Sequence, residues 1–163
     1  MDHLWTPWRY QYITGPKPDA GCVFCTMPAE GKDEENLIVH RGDRNFVILN
    51  LFPYNAGHLM VVPYDHLATL EAAAPETATE LFSLTRHCEA LLRRVYRAQG
   101  INLGMNIGSC AGAGIAGHIH MHLVPRWPGD ANFMSTIGET RVLPEELPVT
   151  WRRLREAWDK SPH

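Results

Sequence analysis

Five consecutive residues, His118-Ile119-His120-Met121-His122, alternate imidazole with apolar side chains and constrain the chain more than any other stretch. In an extended strand successive side chains point to opposite faces, so His118, His120 and His122 share one face while Ile119, Met121 and Leu123 share the other. One face packs a core and the other presents three imidazoles. Alternate residues stand roughly 6.6–6.8 Å apart along a strand, close enough for neighbouring rings to act on different atoms of one phosphate chain. Two other readings compete: histidines on a solvated sheet face, which a single imidazole would suggest, and a metal site for one of the three.

The preceding loop, Gly108-Ser109-Cys110-Ala111-Gly112-Ala113-Gly114, is built of small residues, and Gly117 follows it. Such a loop lets backbone amides approach an anion and form a nest for phosphate oxygens, although it has neither a Walker order nor a dinucleotide-binding order of glycines. A neutral imidazole offers a nucleophilic nitrogen near pH 7, and its phosphoramidate is reactive enough to pass on to a second acceptor. The ring must be held in one tautomer, and a neighbouring imidazole can assist the departing phosphate oxygen.

A chain of 163 residues, 45% hydrophobic and 20% charged, suits one globular domain. Its formal charge of −3 gives no global attraction to a nucleic-acid polymer or an anionic membrane, which points to a small phosphorylated ligand. No apolar run is long enough to span a bilayer and the N-terminus lacks a secretory signal's apolar centre, so a cytoplasmic location is expected.

Residues 1–21, rich in proline, glycine and aromatic rings, are expected to form an irregular arm, and 22–163 a single domain. Leu37–Val39, Phe46–Leu49 and Leu59–Val62 read as successive antiparallel strands bounded by turn formers. Leu81, Leu84, Cys88, Leu91, Leu92 and Val95 recur at helical spacing, giving a helix over Pro75–Gln99 closed by Gly100. Ile101–Ile107 returns to strand composition, and Val149–Lys160 reads as a second main helix. The order suggests an α+β domain around an antiparallel sheet of about five strands. Cys22 and Cys25 form a Cys-x-x-Cys pair after a Pro/Gly-rich segment and read as a metal knuckle, with free thiols or redox chemistry as alternatives, and Cys88 reads as buried and inert.

The stretch His118–Val124, with Asn50-Leu51-Phe52-Pro53 and Gly57-His58-Leu59-Met60-Val61-Val62-Pro63, resembles the histidine triad family. That resemblance implies a nucleotidyltransferase in which His120 attacks a nucleotide α-phosphate while His122 binds phosphate and assists the leaving group. Asn50 then contacts ribose, Phe24, Ile48 and Leu51 line the base pocket, and Asn106, Gly112 and Gly114 approach the phosphates. It also implies a homodimer whose sheets join across the interface.

Leu4-Trp5-Thr6-Pro7-Trp8-Arg9, the cysteine pair and the Pro125–Phe133 segment are similar to the family's bacterial diadenosine tetraphosphate phosphorylase branch, where inorganic phosphate is the acceptor. A dinucleoside polyphosphate or nucleoside phosphoramidate hydrolase is the first alternative, although Gly114 stands where many hydrolases carry glutamine. A nucleotide-binding interaction module without chemistry is the second. Zinc-containing relatives imply a closed structural zinc site of Cys22, Cys25, His66 and His118, with His40 and His58 as competing ligands. Arg126 or Asn132 could line an acceptor pocket or simply hold their loop.

Overall fold

The computed structural model describes residues 21–130 and 145–160. Five short strands, β1 (Ile38–Arg41), β2 (Asn45–Leu49), β3 (Leu59–Pro63), β4 (Gly100–Gly104) and β5 (Met121–Arg126), pair antiparallel in the order β1-β2-β3-β5-β4. The helices are α1 (Val23–Ala29), α2 (Pro75–Tyr96) and α3 (Leu147–Asp159). The α+β expectation of five antiparallel strands and two main helices therefore holds, with α1 as an addition. None of the described helices is long and apolar enough to cross a membrane. The expected arm at residues 1–21 lies outside the described residues, apart from Gly21.

Strand alternation divides the core in two. Val39, Val47, Leu49, Leu59, Val61, Met121 and Leu123 pack with Leu81, Cys88, Leu91 and Leu92 of α2 and with Leu154 and Trp158 of α3. Ile38, Phe46, Ile48, Met60 and Val62 pack on the opposite face with Phe24 of α1. Register carries that second face to the histidines, because Ile38 pairs with Ile48, Ile48 with Met60, and Met60 with His122. Cys88 is fully buried, and burial raises its thiol pKa far above the ordinary value, as an inert core position requires.

The sheet's two edges differ. Over β1, Trp151 of α3 donates its indole N–H to the carbonyl of Ile38 and Arg155 donates to that of Val39. Side chains thus occupy acceptors that an open edge would expose. At β4, Asn102, Leu103 and Gly104 are exposed.

Four elements differ from the sequence reading. Helix α2 ends at Tyr96 rather than Gln99, with Arg97 in the left-handed conformation at φ 51°. The amide of Gln99 donates to the carbonyl of Arg126, so Gly100 opens β4 instead of closing the helix. Strand β4 stops at Gly104, short of the expected Ile107. The cysteine segment is helical from Val23 to Ala29, where a knuckle was expected. Finally, the triad strand begins only at Met121. The amide of Ile119 donates to the carbonyl of Leu67, not to the β3 ladder, so His118, at a bend, and His120 lie in an irregular lead-in.

The turn into β3 depends on Gly57, which adopts φ 79°. A Cβ there would stand 3.1 Å from a Tyr96 ring carbon and 3.2 Å from a Leu92 methyl, both on α2. Gly57→Ala is therefore expected to lose about 1–3 kcal/mol from backbone strain and overpacking. The check is a urea titration, in which a wild-type midpoint for the variant would contradict this account of the turn.

Candidate active site

Three histidine tautomers follow from backbone partners. His118 Nε2 lies 2.9 Å from the carbonyl oxygen of Pro63, so in the neutral ring Nε2–H donates and Nδ1 keeps its lone pair. His120 Nδ1 lies 2.9 Å from the carbonyl oxygen of His118, so Nδ1–H donates and Nε2 keeps the lone pair. His58 Nδ1 accepts from the amide of Tyr54 at 3.1 Å, which puts the His58 proton on Nε2. That proton is donated to His122 Nδ1 across 2.9 Å, leaving His122 with an outward Nε2–H.

The result is a pair of neighbouring rings with opposite characters. His120 presents a bare nitrogen and His122 a donor, with ring centroids 4.7 Å apart and planes at 72°. Burial lowers both pKa values from the ordinary imidazole value, and His122, with a smaller contribution from the adjacent His120, falls to about 4. Both rings are then neutral at pH 7. A neutral lone pair beside an N–H donor can attack a phosphorus centre while the donor holds a non-bridging or departing oxygen.

His118 takes a different path from its neighbours. Its Nδ1 lies 3.3 Å from Cys22 Sγ and 3.6 Å from Cys25 Sγ, and His66 Nδ1 lies 3.4 Å from Cys25 Sγ. The four ligand atoms of Cys22, Cys25, His66 and His118 all fall within 4.8 Å of one another. A tetrahedron with zinc–sulfur and zinc–nitrogen bonds of ordinary length has a sulfur–nitrogen edge of about 3.6 Å, so these separations are those of a seat for such an ion. Of the competing ligands, His58 is bonded to His122 and His40 stacks on Trp158 at 4.3 Å.

Phe24 joins the two groups. It is buried, with its ring centroid 5.5 Å from that of His118 and 5.0 Å from that of His120. Ile48 is buried in the same apolar cluster, in the cross-sheet row that includes His122. Asn50 accepts the amide of Phe52 at 2.9 Å, its side-chain nitrogen lies 3.5 Å from His58 Nδ1, and Leu51 is exposed. Asn106, Gly112 and Gly114 are exposed in the loop before the triad. There the amides of Ala111, Gly112 and Ala113 close onto the carbonyls of Gly108 and Ser109, so any anion-facing amides of this loop come from its other residues.

Arg126 pairs with Asp130 through two nitrogens and reaches Asn102 with a third, which holds the loop after β5. Asn132 and the end of the Pro125–Phe133 segment lie outside the described residues. His58 entered the sequence reading only as a competing metal ligand, and the structure gives it a different part, as the donor to His122. Its signal was its place after Gly57 at the head of β3, opposite the triad strand, but the pairing Met60 to His122 had to be known first. His58→Leu is expected to release His122 from its single tautomer, whereas His58→Gln can retain a donor near the former Nε2. Long-range nitrogen–proton NMR of labelled histidine reads this, and a His122 pattern unchanged in His58→Leu would refute the arrangement.

A family model for the HIT domain matches residues 31–129. The chain is 39% identical, over 99% of its own length and 87% of the relative's, to an AP-4-A phosphorylase of Mycobacterium tuberculosis. It is 29% identical, over 57% of this chain and 50% of the relative, to an asymmetrical bis(5'-nucleosyl)-tetraphosphatase of Schizosaccharomyces pombe. Among solved structures it is similar to a zinc-bound histidine triad family protein from Mycobacterium smegmatis, with TM-score 0.71 and 28% identity over 86% of this chain and 94% of that one. With its alternating histidines, its five-stranded sheet and a family match across most of the described residues, the chain belongs to the histidine triad family.

Proposed function

We propose that this protein is a nucleotidyltransferase that cleaves dinucleoside polyphosphates, diadenosine tetraphosphate in particular, through a covalent nucleotidyl-His120 intermediate with inorganic phosphate as acceptor. The observation that carries the reading is the tautomer pair: a bare Nε2 on His120 beside an Nε2–H on His122. The extended similarity to an AP-4-A phosphorylase supports the substrate and the acceptor.

In the first step His120 Nε2 attacks the α-phosphorus, the bond to the bridging oxygen breaks, and ATP departs with the bond's electron pair. ATP leaves as a phosphate anion that needs no proton at neutral pH, so His122 serves as a hydrogen-bond donor to a phosphate oxygen. In the second step an oxygen of orthophosphate attacks the same phosphorus, the P–N bond breaks, and His120 recovers its lone pair as ADP is released. Phe24 and Ile48 supply an apolar wall suited to a purine base, and Asn50, Leu51, Asn106, Gly112 and Gly114 remain the proposed contacts to ribose, base and phosphates.

Zinc is the ion proposed for Cys22, Cys25, His66 and His118. Two thiolates and two imidazoles saturate a tetrahedral ion, so it supplies folding free energy and no open catalytic position. A homodimer joined at the β4 edge is also proposed, supported by the exposed Leu103 on a strand that, among the described residues, pairs on one side only. The tetraphosphatase relative favours a second reading, hydrolysis by water.

Product analysis separates the readings. Incubation with diadenosine tetraphosphate and phosphate should yield ADP and ATP, while AMP and ATP regardless of phosphate would assign hydrolysis. His120→Ala should abolish turnover, a loss of about a thousandfold or more, because the attacking nitrogen is removed. Near-normal turnover in that variant would overturn the covalent route.

A further inference from the structure

We infer that the Cys22/Cys25/His66/His118 cluster, once metal-loaded, positions the His120 ring for attack, acting through the His118 peptide group and through Phe24. This rests on the reading of His120 as nucleophile and goes beyond a metal that only stabilises the fold.

The first link is one residue with two ends. The His118 ring is held at both nitrogens, Nε2–H on the Pro63 carbonyl and Nδ1 toward the two sulfurs, which fixes its side-chain torsions and the backbone that bears it. The next peptide group is held at both its polar atoms. Its N–H, on Ile119, donates to Leu67 at 2.7 Å, and its C=O, on His118, accepts Nδ1–H of His120. That last bond decides which His120 nitrogen carries the lone pair and where it points. Moving the His118 ring therefore turns the acceptor on which the His120 tautomer depends.

The second link is independent of that peptide. Phe24 lies between the two cysteines in sequence, one residue into α1, and its ring meets His118 edge-on and His120 at a tilt. Cys22 and Cys25 anchor this turn of helix, so the ion that holds them also holds the ring against His120. Without the cation only weak S–H···N hydrogen bonds link the sulfurs to the imidazole nitrogens, so the cluster is held far less firmly than by four metal bonds. His66 is the outermost ligand and is exposed, so its removal weakens the seat without opening the core.

The test uses His66→Ala in the full-length chain, with zinc occupancy set by added zinc and read by elemental analysis. On filling the site, kcat for diadenosine tetraphosphate phosphorolysis should rise about tenfold or more, as for a group that fixes tautomer and orientation. KM should move by less than about twofold, since positioning acts in the transition state. Long-range nitrogen–proton NMR should show His120 passing from mixed tautomers to a single Nδ1–H form while far-UV circular dichroism stays constant.

A companion arm uses His120→Gly with His66→Ala and free imidazole as the nucleophile. An untethered imidazole does not depend on the His118 carbonyl, so zinc should change the rescued rate by less than about threefold. A flat kcat and unchanged His120 tautomer across occupancy in folded protein would overturn the inference and leave the proposed activity standing. So would an equal zinc effect in the rescued variant, which would mark a purely structural ion. Wild-type protein that takes up no zinc would overturn the metal reading and the inference with it.

Discussion

The hydrogen bond from His120 Nδ1–H to the carbonyl of His118 determines what the rest of the structure can do. An imidazole carries one mobile proton, and this bond places it on the inner nitrogen, so the outer one keeps its lone pair. Two further contacts of the same kind complete the arrangement. Pro63 accepts from His118, and the amide of Tyr54 donates to His58, which then donates to His122. Three tautomers are set by backbone and the fourth, that of His122, by His58, and the backbone is set by β3, the turn before it and the lead-in to β5. The fold's chemical contribution is therefore orientation, fixed before any substrate arrives.

Burial supplies the second half. His118, His120 and His122 are drawn into a region of low polarity that lowers their pKa values, and His58 is fully buried beside them. A buried imidazole without partners would be costly, but each of these rings has hydrogen-bond partners on both nitrogens or faces a ligand seat with one. The same cluster thus stays neutral, directional and compatible with an apolar wall made of Phe24, Ile48 and Met60. Neutrality is what a nucleophilic nitrogen requires at pH 7.

Much of this was legible from pattern. The alternation at His118–Val124 gave the face that carries His122, and the paired apolar runs gave β1 to β3 to within a residue or two. Helix α2 was visible because its apolar stripe, Leu81 to Val95, runs over about four turns. The parts that were not legible depend on long-range partners. Helix α1 is seven residues long with Pro28 inside it, too short for a periodic signal. Helix α2 ends three residues early because Gln99 is recruited by Arg126 of the triad strand, a contact no local rule contains. The equal presentation of three histidines failed for the same reason, since Leu67 and the cysteines draw His118 aside. The part His58 plays beside His122 was not legible because a lone histidine after a glycine has no distinguishing spacing. The grouping of Cys22, Cys25, His66 and His118 came from family resemblance, not from the residues alone, and the structure brings those four together.

The central claim is that a nucleotide is carried covalently on one nitrogen of one residue. Mixing the protein with diadenosine tetraphosphate in the absence of phosphate, quenching rapidly in base to preserve a P–N bond, and mapping the digest by mass spectrometry tests it directly. The expected result is an adenylyl group on His120 that is discharged as ADP when phosphate is added before the quench. An adduct on His122 or another residue, or single-turnover product formation with no adduct at any time, would contradict it.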